Sequence, residues 1–244
     1  MALKKLFPAL IILLLANCGK PKPKHVWIFG GLNDEVEMLN GPVKEIYTGD
    51  STLARSYFER IDFDENGKMT HRKERFVQID LNDSDLMIKE SHYKTATDKE
   101  GKKAAVIEYS QLIRIRGHDL VKDTSRWVLN KNGQMASCCN INSDSDRDAV
   151  RHYKYNASGD LTEFKRTWGP VLLEPDIYTY RYDNNHQMIQ SDLYEDRHLM
   201  TTYFEYESID SNNNWLVREV KTKYYPPLQQ SSKTETTTRK ITYY

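Results

Sequence analysis

The sequence offers little of what catalysis usually rests on. Three of its 244 residues are cysteines. No Cys-x-x-Cys pair or matched histidine spacing accompanies them, so no metal site is expected. Gly-x-Ser-x-Gly, a phosphate-binding glycine loop and His-Glu-x-x-His are all missing. Asp and Glu are abundant, but no two stand out as an acid and a base. The chain therefore reads as a non-enzyme with no cofactor and no nominated catalytic residue. A predominance of one charge is also absent. Lys plus Arg number 35 and Asp plus Glu number 35, which gives no electrostatic footprint for nucleic acid. Low mean hydropathy excludes a polytopic membrane protein. Glycines are few, at 11, while tyrosines number 16. Aromatic side chains suit a pleated, half-buried surface. No convincing helical stripe follows the first residues.

The apolar run from Leu6 to Leu15, broken by Pro8, is about half the twenty residues that a spanning helix needs. Lys4 and Lys5 precede it, the layout of a secretory signal. The run ends in Leu15-Ala16-Asn17-Cys18, which resembles the lipobox of bacterial lipoproteins. Asn17 departs from it, since Gly, Ala or Ser is usual there. The resemblance implies that residues 1–17 are a removed signal peptide and that Cys18 is lipidated. Two or three acyl chains on one cysteine anchor stably. The alternative is an ordinary cleaved signal with a chance cysteine. In that family Gly19, in place of Asp, implies the outer membrane of a two-membrane cell. Residues 18–24 then form the lipidated cysteine and a tether, Gly19-Lys20-Pro21-Lys22-Pro23-Lys24. Its alternating prolines favour an extended chain. Residues 25–244 are long enough for one domain.

The body repeats a seven-residue frame. The frame is an apolar residue, Asp or Asn, two polar residues, Gly or a substitute, one polar residue and a large apolar residue. It recurs at Phe63–Met69, Leu129–Met135, Tyr155–Leu161, Tyr182–Met188 and Ile209–Trp215. The last four copies start 26 or 27 residues apart, and the 66-residue gap from 63 to 129 has room for an unseen copy. The chemistry is that of a hairpin turn. Asp or Asn can bond its own backbone two residues on. Gly67, Gly133 and Gly159 supply positive φ. His186 takes that slot in one copy, and His is among the types enriched at positive φ. Residues alternate on either side of the turns, as in Tyr178, Tyr180 and Tyr182, which is period two. Each unit is a strand, a turn and a strand, and must stack on neighbours to bury its apolar face.

Tyr155-Asn156 with Gly159 and Leu161, and Tyr182-Asp183 with Met188, resemble the YD repeats of RHS proteins. Leu39-Asn40-Gly41-Pro42-Val43-Lys44 is similar to the first strand of small envelope lipoproteins that carry a few such repeats. The resemblance implies a hairpin-rich β fold. It does not imply the toxin-enclosing shell of RHS proteins, because about five units are too few to enclose anything. The expected fold is all-β: antiparallel hairpins packed as a curved sheet, a sandwich or a partly open barrel.

Other segments are read more coarsely. Ala105 to Arg116 is a strong strand. Lys89 to Lys103 is polar and reads as an exposed loop. Pro226-Pro227 and Ser231 to Thr238 mark a long connection or an edge strand, and Ile241 and Tyr243 a closing strand. Cys138-Cys139 can form a vicinal disulfide, sit on opposite faces of a strand, or pair between molecules. Asn142, Asp144, Asp146 and Asp148 lack the Gly and Glu of a calcium loop. His92, His118, His152, His186 and His198 show no metal spacing. The tyrosine row is either core or a platform for sugar or peptide. Together these readings point to an envelope protein on a lipid anchor that binds or scaffolds an envelope protein or glycan. The alternatives are an immunity or accessory protein against a toxin, which rests on the RHS resemblance, and an envelope hydrolase with an unrecognised site.

Overall fold

The computed structural model describes residues 25–30, 35–50, 57–80, 83–97, 99, 101, 103–114, 120–141, 149–168, 174–195, 197–226 and 231–244. The leader, Cys18, the Pro/Lys tether, His118 and the acidic run 142–148 lie outside the described residues. Two strands, β1 (His25–Gly30) and β2 (Glu35–Asn40), form a hairpin of their own. The remaining fourteen close into a barrel. They are β3 (Val43–Asp50), β4 (Phe58–Phe63), β5 (Met69–Asp80), β6 (Asp83–Thr97), β7 (Lys103–Arg114), β8 (Leu120–Leu129), β9 (Met135–Asn140), β10 (Ala149–Tyr155), β11 (Leu161–Trp168), β12 (Asp176–Tyr182), β13 (Met188–Tyr194), β14 (His198–Ile209), β15 (Trp215–Tyr224) and β16 (Ser232–Tyr243). Each strand pairs antiparallel with its neighbours in sequence, and β16 pairs with β3 to complete the ring.

The five frames are hairpin turns built alike. In the first, Gly67 N donates to Asp64 O, Asp64 N to Lys68 O, and Asp64 Oδ1 accepts from Asn66 N and Lys68 N. The Gly slot has positive φ in every copy: 73° at Gly67, 78° at Gly133, 95° at Gly159, 63° at His186 and 65° at Asn213. A register shift at each of these hairpins marks a bulge after the turn, as expected for a turn followed by a left-handed residue. The unseen copy lies between β6 and β7. Thr97 pairs with Lys103 across Asp98-Lys99-Glu100-Gly101-Lys102, and Gly101 has φ 78°. Lys89 to Lys103 is therefore not a loop, because most of it belongs to β6. Thr and Lys stand in the apolar slots there because this turn stands in water: Thr97, Lys99 and Gly101 are exposed.

The turns sit side by side at one end of the barrel, and the polar residue after the Gly slot wires them together. Gln134 Nε2 donates to Gly159 O at 3.2 Å, Asp160 Oδ1 meets His186 Nδ1 at 2.9 Å, and Gln187 Nε2 donates to Asn213 O at 2.6 Å. Asn214 bonds Asn40 in both directions at 2.8 Å. These side chains are buried, so each satisfies a polar group that would otherwise be stranded.

Two expectations are corrected by closure. The barrel is complete, not partly open: β16 pairs with β3 from Thr237 to Tyr243, while Ser232–Thr236 pair with β15 alone among the described residues, as expected of an edge segment. The hairpins also enclose a lumen. The expectation that so few units enclose nothing fails because closure joins β16 to β3, nearly 190 residues apart in sequence (as in Thr238↔Gly49), and frame spacing carries no trace of that pairing.

Candidate functional site

Alternation sends every second side chain inward. One inward row runs Ile241, Ile46, Ile61, Arg72, Ser91, Ser110 across six strands, and another runs Tyr153, Phe164, Tyr178, Leu193. The β1–β2 hairpin is inserted among them. Val26, Ile28, Phe29, Val36 and Leu39 are all buried, within one cluster with Ile46, Ile61, Trp127 and Tyr153. Phe29 packs edge-on to Tyr93 at 5.3 Å between ring centres and tilted on Trp127 at 5.2 Å. In β1 the run Val26-Trp27-Ile28-Phe29 is apolar on both faces, the mark of a strand covered on both sides. That signal was present in the sequence and could have disclosed a plug.

The plug is held by charge as well as packing. Glu37 takes a bidentate contact from Arg239, Nη1 to Oε1 at 2.9 Å and Nη2 to Oε2 at 2.7 Å, and Trp215 Nε1 donates to Oε1 at 2.9 Å. The guanidinium carbons of Arg239 and Arg218 lie 3.7 and 4.2 Å from the centre of the Trp215 ring, within cation–π range. Burial opposes ionisation of Glu37, but the charge and hydrogen bonds of Arg239, with Arg218 and Trp215, outweigh it and hold its pKa below the ordinary value. A second clasp is Arg72, whose Nη1 donates to Phe29 O at 3.1 Å. Burial opposes its charge too. Its ion pairs with Glu59 and Glu74 prevail and raise its pKa.

Beside the plug is a cavity of about 1210 Å³. Tyr178, Tyr180, Tyr182 and Tyr206 line it with Phe164, Phe204 and Met200, while Ser191, Thr202, Arg166 and Arg218 supply polar groups. Burial pushes the Tyr182 and Tyr206 hydroxyls up, Tyr206 to about 12, so they remain neutral. Tyr178 and Tyr180 are half-buried and pack against the core cluster. The row is thus partly core and partly a surface facing open space. Among the carboxylates lining this cavity, Glu37, Glu59 and Glu74 are engaged by arginine.

The outer wall is charged. One outward row runs Lys240, Tyr47, Arg60, Lys73, Glu90, Gln111, Lys122 across seven strands. Another runs Lys154, Glu163, Thr179, Asp192. A membrane-spanning barrel needs an outward apolar band about 25 Å tall, and each Lys or Arg at the midplane costs about 2–4 kcal/mol. Cys138 and Cys139 occupy adjacent positions of β9, Cys138 buried and opposite Trp127, Cys139 half-buried and opposite Arg126. A paired strand sends adjacent side chains to opposite faces, the arrangement the two residues have here. Gly67, Gly133 and Gly159 stand where the frame places them.

No family model and no curated protein matches the chain. Among solved structures, it is similar to a porin-like protein from Bacteroides uniformis, with a TM-score of 0.50 at 9% identity, over 82% of this chain and 97% of that one. At this identity the likeness speaks for the barrel fold alone.

Proposed function

We propose that the chain is a lipid-anchored binding module of the cell envelope, a barrel that stands in water beside its membrane and takes an amphipathic ligand such as a glycan fragment into its lumen. The carrying observation is the tyrosine-lined cavity. Ligand sites are concave, apolar and aromatic with a few placed polar groups, commonly about 300–1,000 Å³. Tyrosine suits a sugar because its flat face covers ring C–H groups while its hydroxyl bonds. The charged outer rows favour a tethered barrel over a spanning one, and the lipobox-like Cys18 supplies the tether. Three of the carboxylates lining the cavity, Glu37, Glu59 and Glu74, are taken up by arginines, which suits retention of a ligand more than turnover.

Trp27 and Trp215 both line the cavity, so intrinsic fluorescence reports on it. Titration of the full chain with envelope oligosaccharides should give a saturable change that Tyr180→Ala weakens about tenfold or more, as expected for loss of one aromatic contact. Native mass spectrometry should show the bound species. No saturable response, together with no small molecule carried through purification, would remove this reading.

A further inference from the structure

The outer wall carries a second constellation, remote from the lumen. Asp62 on β4, His71 on β5 and His92 on β6 lie in one row, each directly opposite the next. Glu90 lies on the same outward face of β6, two residues before His92. Pairing therefore gathers four side chains that the sequence spreads over thirty residues. One donor atom each from His71, Glu90 and His92 falls within 4.8 Å of the others. His71 Nε2 is 3.0 Å from Glu90 Oε1. The two imidazole rings lie 4.9 Å apart. In a tetrahedral site with ligand bonds near 2.1 Å, donors stand about 3.4 Å apart, so small side-chain rotations suffice.

The surroundings are those of a supported site. His71 Nδ1 is 3.1 Å from Asp62 Oδ2, which is the carboxylate–imidazole contact that orients a metal-binding histidine. Asp62 in turn accepts from Arg60 Nε at 3.1 Å and Nη2 at 3.0 Å, and Arg60 pairs with Glu45 at 2.8 Å. Gln111 Nε2 donates to Glu90 Oε2 at 3.3 Å. Each prospective ligand but His92 is thus held from behind. His92 is exposed and leaves a coordination position open to water.

We propose that His71, Glu90 and His92 bind a divalent transition metal of the zinc class, with Asp62 fixing His71 from the outer shell. Two imidazoles and one carboxylate with an open position form a donor set suited to zinc. The alternative, a cross-strand hydrogen-bond network with no ion, makes different predictions.

The test is calorimetric titration of zinc chloride into the full-length protein, purified without a histidine tag and stripped with chelator. One equivalent should bind. His92→Ala and His71→Ala should each weaken binding by about a hundredfold or more, and Asp62→Asn by about 10–100-fold. His152→Ala, an exposed histidine elsewhere on the wall, should leave it unchanged. His92 is exposed, so His92→Ala should keep the fold, shown by an unaltered circular dichroism spectrum, and it carries the test even if His71→Ala does not fold. Zinc binding that survives His92→Ala at full strength, or a wild-type chain that takes up no zinc at millimolar concentration, would overturn the proposal.

Discussion

Removing the Glu37 carboxylate should release the plug. In Glu37→Ala, Arg239 loses both of its contacts to the hairpin and Trp215 loses its acceptor. The Arg239 side chain is only 5% exposed, so its charge stays buried without that partner. Breaking a fully buried pair from one side costs about 3–5 kcal/mol. Glu37 keeps 27% of its side chain accessible, toward the cavity, and water there can solvate part of what is lost. The expected cost is therefore about 2–3 kcal/mol, from the lower end of that range with the accessible fraction discounted. Hairpin opening is a local event, so hydrogen exchange is the assay. Amides of β1 and β2 should exchange about 30- to 150-fold faster, while those of β10 to β13 hold their protection. The sign of the pH dependence follows from the lowered pKa. The contribution of Glu37 is fully present above its ordinary value of 4.5 and is lost as pH falls through the lower value it has in the fold. Wild type and Glu37→Gln should thus differ by a constant amount from pH 7 down to about 5, and the gap should shrink as pH falls below that. Unchanged hairpin exchange in Glu37→Ala, or a gap that persists undiminished at pH 3, would refute the latch.

Gly133→Ala should cost about 1 kcal/mol in urea unfolding with an unchanged slope, because its φ of 78° strains an L side chain although nothing lies within 4 Å of the added methyl; an unmoved midpoint would contradict the turn assignment. Without reductant, iodoacetamide should label Cys139 on the native protein well before buried Cys138, and both in urea; a peptide two hydrogens light would show a bond instead. Cys18→Ala should move the protein from the membrane to the soluble fraction, and full membrane retention would contradict lipidation.

Local chemistry was legible. Asx at the turn entrance and Gly three residues on act within seven residues, so Phe63–Met69 or Tyr155–Leu161 declares a reversal whatever surrounds it. The frame even tolerates His186 and Asn213 at positive φ. It became unreadable at Thr97–Lys103, where the turn stands in water and no core demands apolar flanks. Period two likewise placed Tyr178, Tyr180 and Tyr182 on one face without saying what that face met.

Alternation and turn residues determine, from neighbours along the chain, that this protein is a succession of antiparallel hairpins. Tertiary structure alone decided that β16 would meet β3, that β1 and β2 would fill the space so enclosed, and that His71, Glu90 and His92 would converge. The reason is physical. Turns are stabilised by contacts within a few residues, whereas closure and convergence depend on register between strands, which is set by packing of the whole ring and leaves no local signature.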